Sequence, residues 1–418
     1  MVPLPAVHRA SPEDSCPGAV RLHQAADGGL ARVRIPGGVL TGAQWQALVA
    51  AAQQLGNGRL ELTSRGNLQL RGLPDGAEAP LAARLQEAGL LPSPAHERVR
   101  NLLASPLTGR DGAGLADVRP LIAEFDRALC ARPGLAELSG RFLFALDDGR
   151  ADVLAGEPDI AVTATAPASM QLVLAGWPVG APVPSAAAVE SMLAAAEAFL
   201  AERRAQGGNA WRLAELADGP ARVAARLGLA VHPRPDAAVG PASRPGPACE
   251  PGPFRQRDGT SALVIGIPLG GLSADQATGL HAAQLILTLW RSIVLPDLAA
   301  GELTALEARC ARLGMITDRS HPLHNVTACT GRPGCASALA DVRADAVAAH
   351  HAGVGLPAVG VHWSGCARRC GRPAGAGTDV IATGSGYLVR RGDRSAEVGS
   401  DCAELAAALR TSVLAGAQ

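Results

Sequence analysis

The chain is written twice, and this limits its fold more than any other feature. IPGGVLTGAQ (Ile35–Gln44) resembles IPLGGLSADQ (Ile267–Gln276), and LELTSRGNLQLRGL (Leu60–Leu73) resembles LILTLWRSIVLPDL (Leu285–Leu298). RNLLASPLTG (Arg100–Gly109) parallels HNVTACTGRPG (His324–Gly334), and GLADVR (Gly114–Arg119) parallels ALADVR (Ala338–Arg343). Matches repeated in one order imply an internal duplication. Thr41 with Gln44, and Ser273 with Gln276, set a hydroxyl three residues before a Gln, the signature of a capped helix start. The second match has strand-like alternation on both sides of a polar break. Each copy therefore reads strand–helix–strand, then a helix-rich segment with further short strands. The fold class expected is α+β with pseudo-twofold symmetry, and symmetric halves commonly make a cleft between them.

HPRPDAAVGPASRPGPACEPGPF (His232–Phe254) is rich in Pro and Gly and reads as an extended connector. The chain of 418 residues is long enough for two to four domains with cores. Its formal net charge of zero argues against a nucleic-acid or acidic-membrane binder. The uncharged run Ile160–Val189 contains Pro167, Pro178 and Pro182 and carries Gln171, so it fails as a spanning helix. MVPLPAVHRASPEDSCPG at the start lacks the basic and apolar regions of a signal peptide. A cytoplasmic protein with no membrane segment is expected.

The chemistry lies in four cysteines of the second copy. Cys329 and Cys335 are spaced C-x5-C, and Cys366 and Cys370 are spaced C-x3-C. Four soft thiolates in two short clusters suit a cubane [4Fe–4S] cluster. Structural zinc is the alternative, but zinc knuckles use C-x2-C spacing. Nine cysteines is an odd number, so a disulfide framework is not expected. The helix ASALADVRADAVAAHHA should begin just after Cys335, turning its N–H groups and positive dipole end to an anionic cluster. Ser105 stands where the first copy would have Cys329, so the cluster belongs to the second half alone. Cys130, Cys249, Cys310 and Cys402 lack ligand spacing, and Cys16 reads as an ordinary buried thiol on an N-terminal arm.

The chain has no lysine, so all 38 basic residues are arginines. Any anion site must use guanidinium groups, which grip carboxylates bidentately. Arg65 lies in TSRGN, Arg98 and Arg100 in HERVRN, Arg141 opens RFLFAL, and Arg368, Arg369 and Arg372 crowd the last cysteine pair. Any one alone reads as a solvated charge; several at repeated loops read as a cradle for a polycarboxylate. GAGTDVIATGSG (Gly375–Gly386) lacks the strand and helix of a dinucleotide fingerprint and reads as turns.

The paired cysteines, TSRGNLQLRG, the RN segment and the duplicated halves together resemble the sirohaem-type sulfite and nitrite reductases. SCPG, DGGLARVRIPGG, the TLWR segment and VHWSGCARRCGRP are more similar to the precorrin-3B synthase branch of that superfamily. The resemblance runs from about Ser15 to Leu388. It implies ferredoxin-like half-domains joined into one central domain with two larger cluster-type domains. The expected boundaries are 1–92 for the arm and first half-domain, 93–231 for a first cluster-type domain without a cluster, 232–258 for the linker, 259–318 for the second half-domain and 319–418 for the cluster-binding domain. In the reductases the last cysteine bridges cluster and sirohaem iron, a role that would fall to Cys370. Tetrapyrrole carboxylates would fall to Arg65, Arg100 and Arg141. A lysine of the reductases falls on Leu143, and their Pro-Asn-Gly between the last cysteines is Ala367, Arg368 and Arg369 here.

The precorrin-3B synthase branch implies a monooxygenase acting on a tetrapyrrole substrate, precorrin-3A, in aerobic cobalamin biosynthesis. O2 would hydroxylate C20 with lactone formation from the ring A acetate. Electrons would pass through the cluster from a ferredoxin or an NAD(P)H-dependent reductase, and a mononuclear non-haem iron could activate the oxygen. His321 and His324, spaced as a pair, and His362 beside the last cysteines are candidate ligands for it, although each reads first as a structural or surface residue. The alternatives are a sirohaem-dependent sulfite or nitrite reductase and a non-enzymatic iron–sulfur electron carrier.

Overall fold

The computed structural model describes residues 14, 16–234, 250–352, 360–373 and 377–414. The first half opens with β1 (His23–Ala25), β2 (Gly28–Val33), β3 (Val39–Thr41), α1 (Gly42–Leu55), β4 (Leu60–Leu62), β5 (Leu68–Leu73) and α2 (Glu78–Glu87). It continues through β6 (Leu102–Ala104), α3 (Arg119–Cys130), β7 (Phe144–Asp147), β8 (Ile160–Ala166), β9 (Ser169–Leu174), β10 (Trp177–Pro184), α4 (Ala188–Ala205) and α5 (Gly219–Arg226). The second half repeats the opening as β11 (Gly252–Arg255), β12 (Ser261–Gly266), β13 (Gly271–Leu272), α6 (Ala274–Thr278), β14 (Gln284–Leu287), β15 (Ser292–Leu298) and α7 (Ala300–Arg312). Then follow β16 (Val326–Ala328), α8 (Val342–Ala352), β17 (Val361–Ser364), β18 (Thr378–Ala382), β19 (Tyr387–Arg391), β20 (Arg394–Val398) and α9 (Cys402–Leu414).

The duplication survives at the level of single hydrogen bonds. Thr41 N donates to Gln44 Oε1 (3.0 Å) and Gln44 N to Thr41 Oγ1 (3.2 Å); Ser273 and Gln276 repeat both bonds at 2.9 and 3.2 Å. These capping boxes start α1 and α6 as the spacing predicts. The copies then diverge, because α6 is five residues long where α1 has fourteen.

Each half lends its third strand to the other. One central sheet has the order β1-β2-β5-β4-β13 and the other β11-β12-β15-β14-β3. Thr41 pairs with Gln284 in one exchange and Leu272 with Leu60 in the other. The two half-domains share one core, in which Leu40, Trp45 and Leu60 are buried in the same cluster as Leu263, Leu285 and Leu306. Trp45 Nε1 bridges the copies to Ala277 O at 2.9 Å. The exchange of strands joins the two half-domains through this shared core.

Two further five-stranded sheets, β10-β9-β8-β7-β6 and β16-β17-β18-β19-β20, form the flanking lobes, each with its own core. The run Ile160–Val189 supplies β8–β10, and among the described residues no helix is long and apolar enough to cross a membrane. Three local expectations need correction. β11 lies inside the stretch read as connector, because Gly252–Arg255 pairs with Ser261–Val264; residues 235–249, with Cys249, lie outside the described residues. Within GAGTDVIATGSG, read as turns from its glycines, Thr378–Ala382 is strand β18, parallel to β17 and buried apart from Ile381; Gly375 and Ala376 lie outside the described residues. α8 begins at Val342, not just after Cys335, because residues 336–341 turn first.

Candidate functional site

The two central sheets share a fold and differ in their outward faces. In the first, strand alternation turns Ala31, Val33, Leu60, Leu62, Leu68 and Leu70 into the core and Arg32, Arg34, Glu61, Gln69 and Arg71 outward. In the second, the outward positions are Val39, Ala262, Val264, Ile286 and Val294, and Leu107 from the loop after Ser105 packs on them. The duplicated cleft is thus an apolar contact in one copy and a polar floor in the other.

The cysteine loops lie over the polar floor. Arg71 grips Asp27 with bonds of 2.9 and 2.8 Å and donates to Gly334 O at 2.6 Å, beside Cys335. Arg343 pairs with Glu61 at 2.7 Å and donates to Cys329 O at 3.2 Å. Gly365 N donates to Cys329 Sγ at 3.1 Å. Arg291, at the turn between β14 and β15, donates to Gly371 O at 2.7 Å and so braces the loop after Cys370. Burial pushes the Cys370 thiol up, and the charges of Cys329, Cys366 and Cys335 push it further. All four candidate ligands are therefore electrostatic neighbours. Each thiolate of a cubane binds its own iron, so the four need not converge on one point. Among the described residues no three His, Cys, Asp or Glu side chains are placed to hold a single metal ion. His321 and His324 lie in a turn, where His321 Nδ1 accepts from Leu323 N at 3.1 Å. His362 is buried in β17 against Thr327 Oγ1 (2.9 Å), and burial pushes it down to about 4.

Arginines gather at the other end of the floor. Arg65 sits in the β4–β5 turn, whose Thr63 Oγ1 accepts from Arg65 N and Asn67 N; Thr288 repeats this with Trp290 N and Ser292 N. The repeat thus places Trp290 where the first copy has Arg65. Burial lowers Arg65 to about 10, with the Arg212 and Arg32 charges adding to the effect. Arg34 is lowered to about 9 by burial and by Arg32 and Arg65; its Nη1 and Nη2 have no hydrogen-bond partner among the described residues. Arg141 lies over the Trp211 ring, 5.1 Å from its centroid, and its charge is felt by Arg32. Arg65 donates to Gly140 O at 3.4 Å, but the terminal nitrogens of Arg34 have no partner among the described residues and the neighbouring guanidinium groups repel it, so this basin is arranged for anions. A hydrogen-bonded path crosses the floor from basin to cysteines. Arg32 donates to Gln69 Oε1 (2.5 Å), Gln69 to Glu61 Oε2 (3.3 Å), and Glu61 meets Arg343.

Arg100 is a correction. Its guanidinium is committed to Asp126, at 2.6 and 2.8 Å, and to Leu90 O at 2.9 Å. Neighbouring Asn101 reaches the basin's frame instead, donating to Gly140 O at 2.9 Å. Arg369 and Arg372 pair with Asp379 at 3.1 and 2.6 Å and do not line the basin. Arg32 and Arg34 were missed; Arg212, near Arg65, is held by Asp159 at 2.6 Å. LARVRIPGG could have shown the first two, since alternate arginines on a strand share a face.

The first lobe keeps the cluster frame and fills it differently. Ser105 N bonds to Leu146 O and Asp148 N to Ser105 Oγ, as Cys329 N bonds to Trp363 O and Gly365 N to Cys329 Sγ. Arg150 stands there against Asp111 and Asp148. Asp152 accepts from Ser105 Oγ at 2.7 Å, yet burial pushes it up to about 7. A carboxyl raised above its unfolded value contributes stability below the unfolded pKa and loses it as pH climbs through the folded one. Asp152→Asn is therefore expected to raise Tm more at pH 8.5 than at pH 5; equal shifts at both would remove the ionisation from the account.

Residues 23–88 match the family described as nitrite/sulfite reductase ferredoxin-like half domain. A precorrin-3B synthase of Sinorhizobium sp is 28% identical over 388 residues, 89% of this chain and 81% of that protein. A ferredoxin–nitrite reductase of Synechococcus elongatus is 29% identical over 387 residues, 82% and 74% of the two. The haemoprotein beta-component of an NADPH sulfite reductase of Acidithiobacillus ferrooxidans is 43% identical over 77 residues, 18% and 14% of the two. The Mycobacterium tuberculosis NirA protein shares the fold, with a TM-score of 0.71 over 88% of this chain and 78% of that one at 21% identity. The duplicated α+β fold and the likeness to precorrin-3B synthase within the nitrite/sulfite reductase superfamily, both expected from the motifs, are borne out.

Proposed function

We propose that the chain catalyses the reaction of precorrin-3B synthase: O2-dependent hydroxylation of precorrin-3A at C20 with closure of a lactone. The observation that carries this is the floor itself, where a basin of desolvated arginines and the four-cysteine loops occupy one face of one sheet. Arg34, Arg65, Arg32 and Arg141 would bind the acetate and propionate groups, Arg34 in a setting already stripped of water where charge-assisted bonds are strongest. Arg32, Gln69 and Glu61 would fix the macrocycle's orientation relative to the cysteine loops. Cys329, Cys335, Cys366 and Cys370 suit a [4Fe–4S] cluster, which when bound supplies electrons one at a time. The described side chains do not fit a mononuclear iron, and no step is assigned to one. A ferredoxin or an NAD(P)H-dependent reductase in a reducing cytoplasm is the proposed electron source.

The test is an aerobic assay of the reconstituted protein with precorrin-3A and a reductant, read by mass spectrometry for the hydroxylated lactone. No such product from protein with full iron and sulfide content rejects the reading. The second reading, a sirohaem reductase, rests on the near-equal identity to the ferredoxin–nitrite reductase. Leu143 and the Ala-Arg-Arg stretch between the last cysteines count against it. Sirohaem absorbance in the purified protein would favour it.

A further inference from the structure

The N-terminal segment carries a thiol into the arginine basin. Cys16 is half-buried, and Arg32 Nη1 donates towards its Sγ at 3.9 Å. Cys16 lies within electrostatic reach of Arg34 and Arg65 as well as Arg32. Its seat is built from several elements. The Asp14 carboxylate accepts from Cys16 N (3.0 Å), Ser139 Oγ (2.9 Å) and Gly140 N (2.5 Å), and Asp14 O accepts from Arg98 Nη1 (2.9 Å). A Cβ on Gly140 would lie 2.9 Å from Cys16 Cβ, so the turn leading to Arg141 is stripped of a side chain where the cysteine sits. Independently of the thiol, Arg34 is buried with both terminal nitrogens unpartnered among the described residues, which points to an anion at this place.

We propose that Cys16 is a reactive thiol of the anion site itself, selective for anionic electrophiles and shielded when a polycarboxylate is bound. The proposal rests on the reading of the basin as a polycarboxylate site. Three guanidinium groups lie around it and concentrate anionic reagents there. With iodoacetate, the Cys16 proton leaves to solvent and the thiolate sulfur attacks the methylene carbon. An S–C bond forms as the C–I bond breaks, and iodide departs with the bonding pair. The carboxymethyl group left behind places its own carboxylate among Arg32, Arg34 and Arg65, where it competes with any carboxylate ligand.

The experiment uses the full-length protein with iodoacetate or iodoacetamide, and peptide mass spectrometry reads each cysteine separately. Cys130, on α3 with its thiol pushed up by burial and by Asp126, is the internal control. The ratio of iodoacetate to iodoacetamide labelling at Cys16 is expected to exceed that at Cys130 by on the order of tenfold at low salt, and to fall in 0.5 M NaCl as the arginines are screened. Arg34→Gln should lower the ratio at Cys16 while iodoacetamide still labels it. Saturating uroporphyrin, a polycarboxylate tetrapyrrole whose binding is followed by its own fluorescence, should suppress Cys16 labelling. Equal ratios at the two cysteines overturn the proposal, as does unchanged Cys16 labelling with uroporphyrin demonstrably bound. Failure of uroporphyrin to bind would instead sink the polycarboxylate reading, and the reagent ratio would still decide the case for Cys16.

Discussion

Cys366→Ser and Cys370→Ser are each expected to purify as folded protein with iron and sulfide reduced to background and the visible charge-transfer absorbance lost. The expectation follows from ligand chemistry, because a serine hydroxyl neither ionises at neutral pH nor offers the soft sulfur that iron–sulfur centres require. Folding should survive, since the second lobe's core is built from Val342, Trp363, Val380, Tyr387 and Leu409 and not from these two residues. Cys366 and Cys370 sit half-buried and exposed on a loop that Arg291 braces from outside. Loss of the cluster would leave the loop free to separate Cys370, whose thiol the other three push up, from its neighbours, which relieves repulsion instead of creating it. Circular dichroism should therefore change little while iron and sulfide disappear. Full iron and sulfide in either variant would refute the ligand assignment, and a collapsed fold would show that the loop is structural. Cys310→Ser provides the contrast, because its thiol is buried in the core shared by the half-domains, where burial pushes it up to about 11.

The parts of the fold that the sequence made legible are those governed by short-range rules. Thr41–Gln44 and Ser273–Gln276 carry their helix starts in four residues, and the polar breaks between β4 and β5 and between β14 and β15 lie between strand-like runs. What stayed hidden depends on long-range pairing. No local signal says that β3 leaves its own half to pair with β14, since the reciprocal exchange satisfies the same backbone groups either way. The site divides along the same line. Cysteine spacing is local and was readable, as was Arg65 in its turn. Arg100 misled because its motif is repeated while its partner, Asp126, lies on α3, outside any repeat. Arg34 was not legible, because its burial depends on packing that no local signal in the sequence reports.

Arg34→Met is expected to leave the protein as stable or more stable while weakening uroporphyrin binding. Burying a charged group without a partner costs free energy, and apolar side chains of similar volume at such positions are often neutral or stabilising by about 1–4 kcal/mol. Arg34 fits that case: its pKa is lowered to about 9 chiefly by burial, Arg32 and Arg65 repel it, and both terminal nitrogens lack partners among the described residues. The side-chain bond it makes among the described residues, from Nε to Arg98 O at 3.2 Å, can be given up cheaply, because Asn101 Nδ2 also donates to that carbonyl at 3.0 Å. A fold gains nothing from such an arginine unless a ligand completes it. The same substitution removes charge-assisted bonds to a carboxylate, worth about 1.5–3 kcal/mol each, so affinity should fall by roughly 10- to 100-fold. Thermal unfolding and porphyrin titration of one variant therefore separate two accounts of the basin. A raised Tm with lost affinity marks Arg34 as a binding residue held in place against the stability of the fold. A lowered Tm with unchanged affinity would make it a structural cation whose partners lie elsewhere, and the polycarboxylate reading of the basin would lose its strongest support.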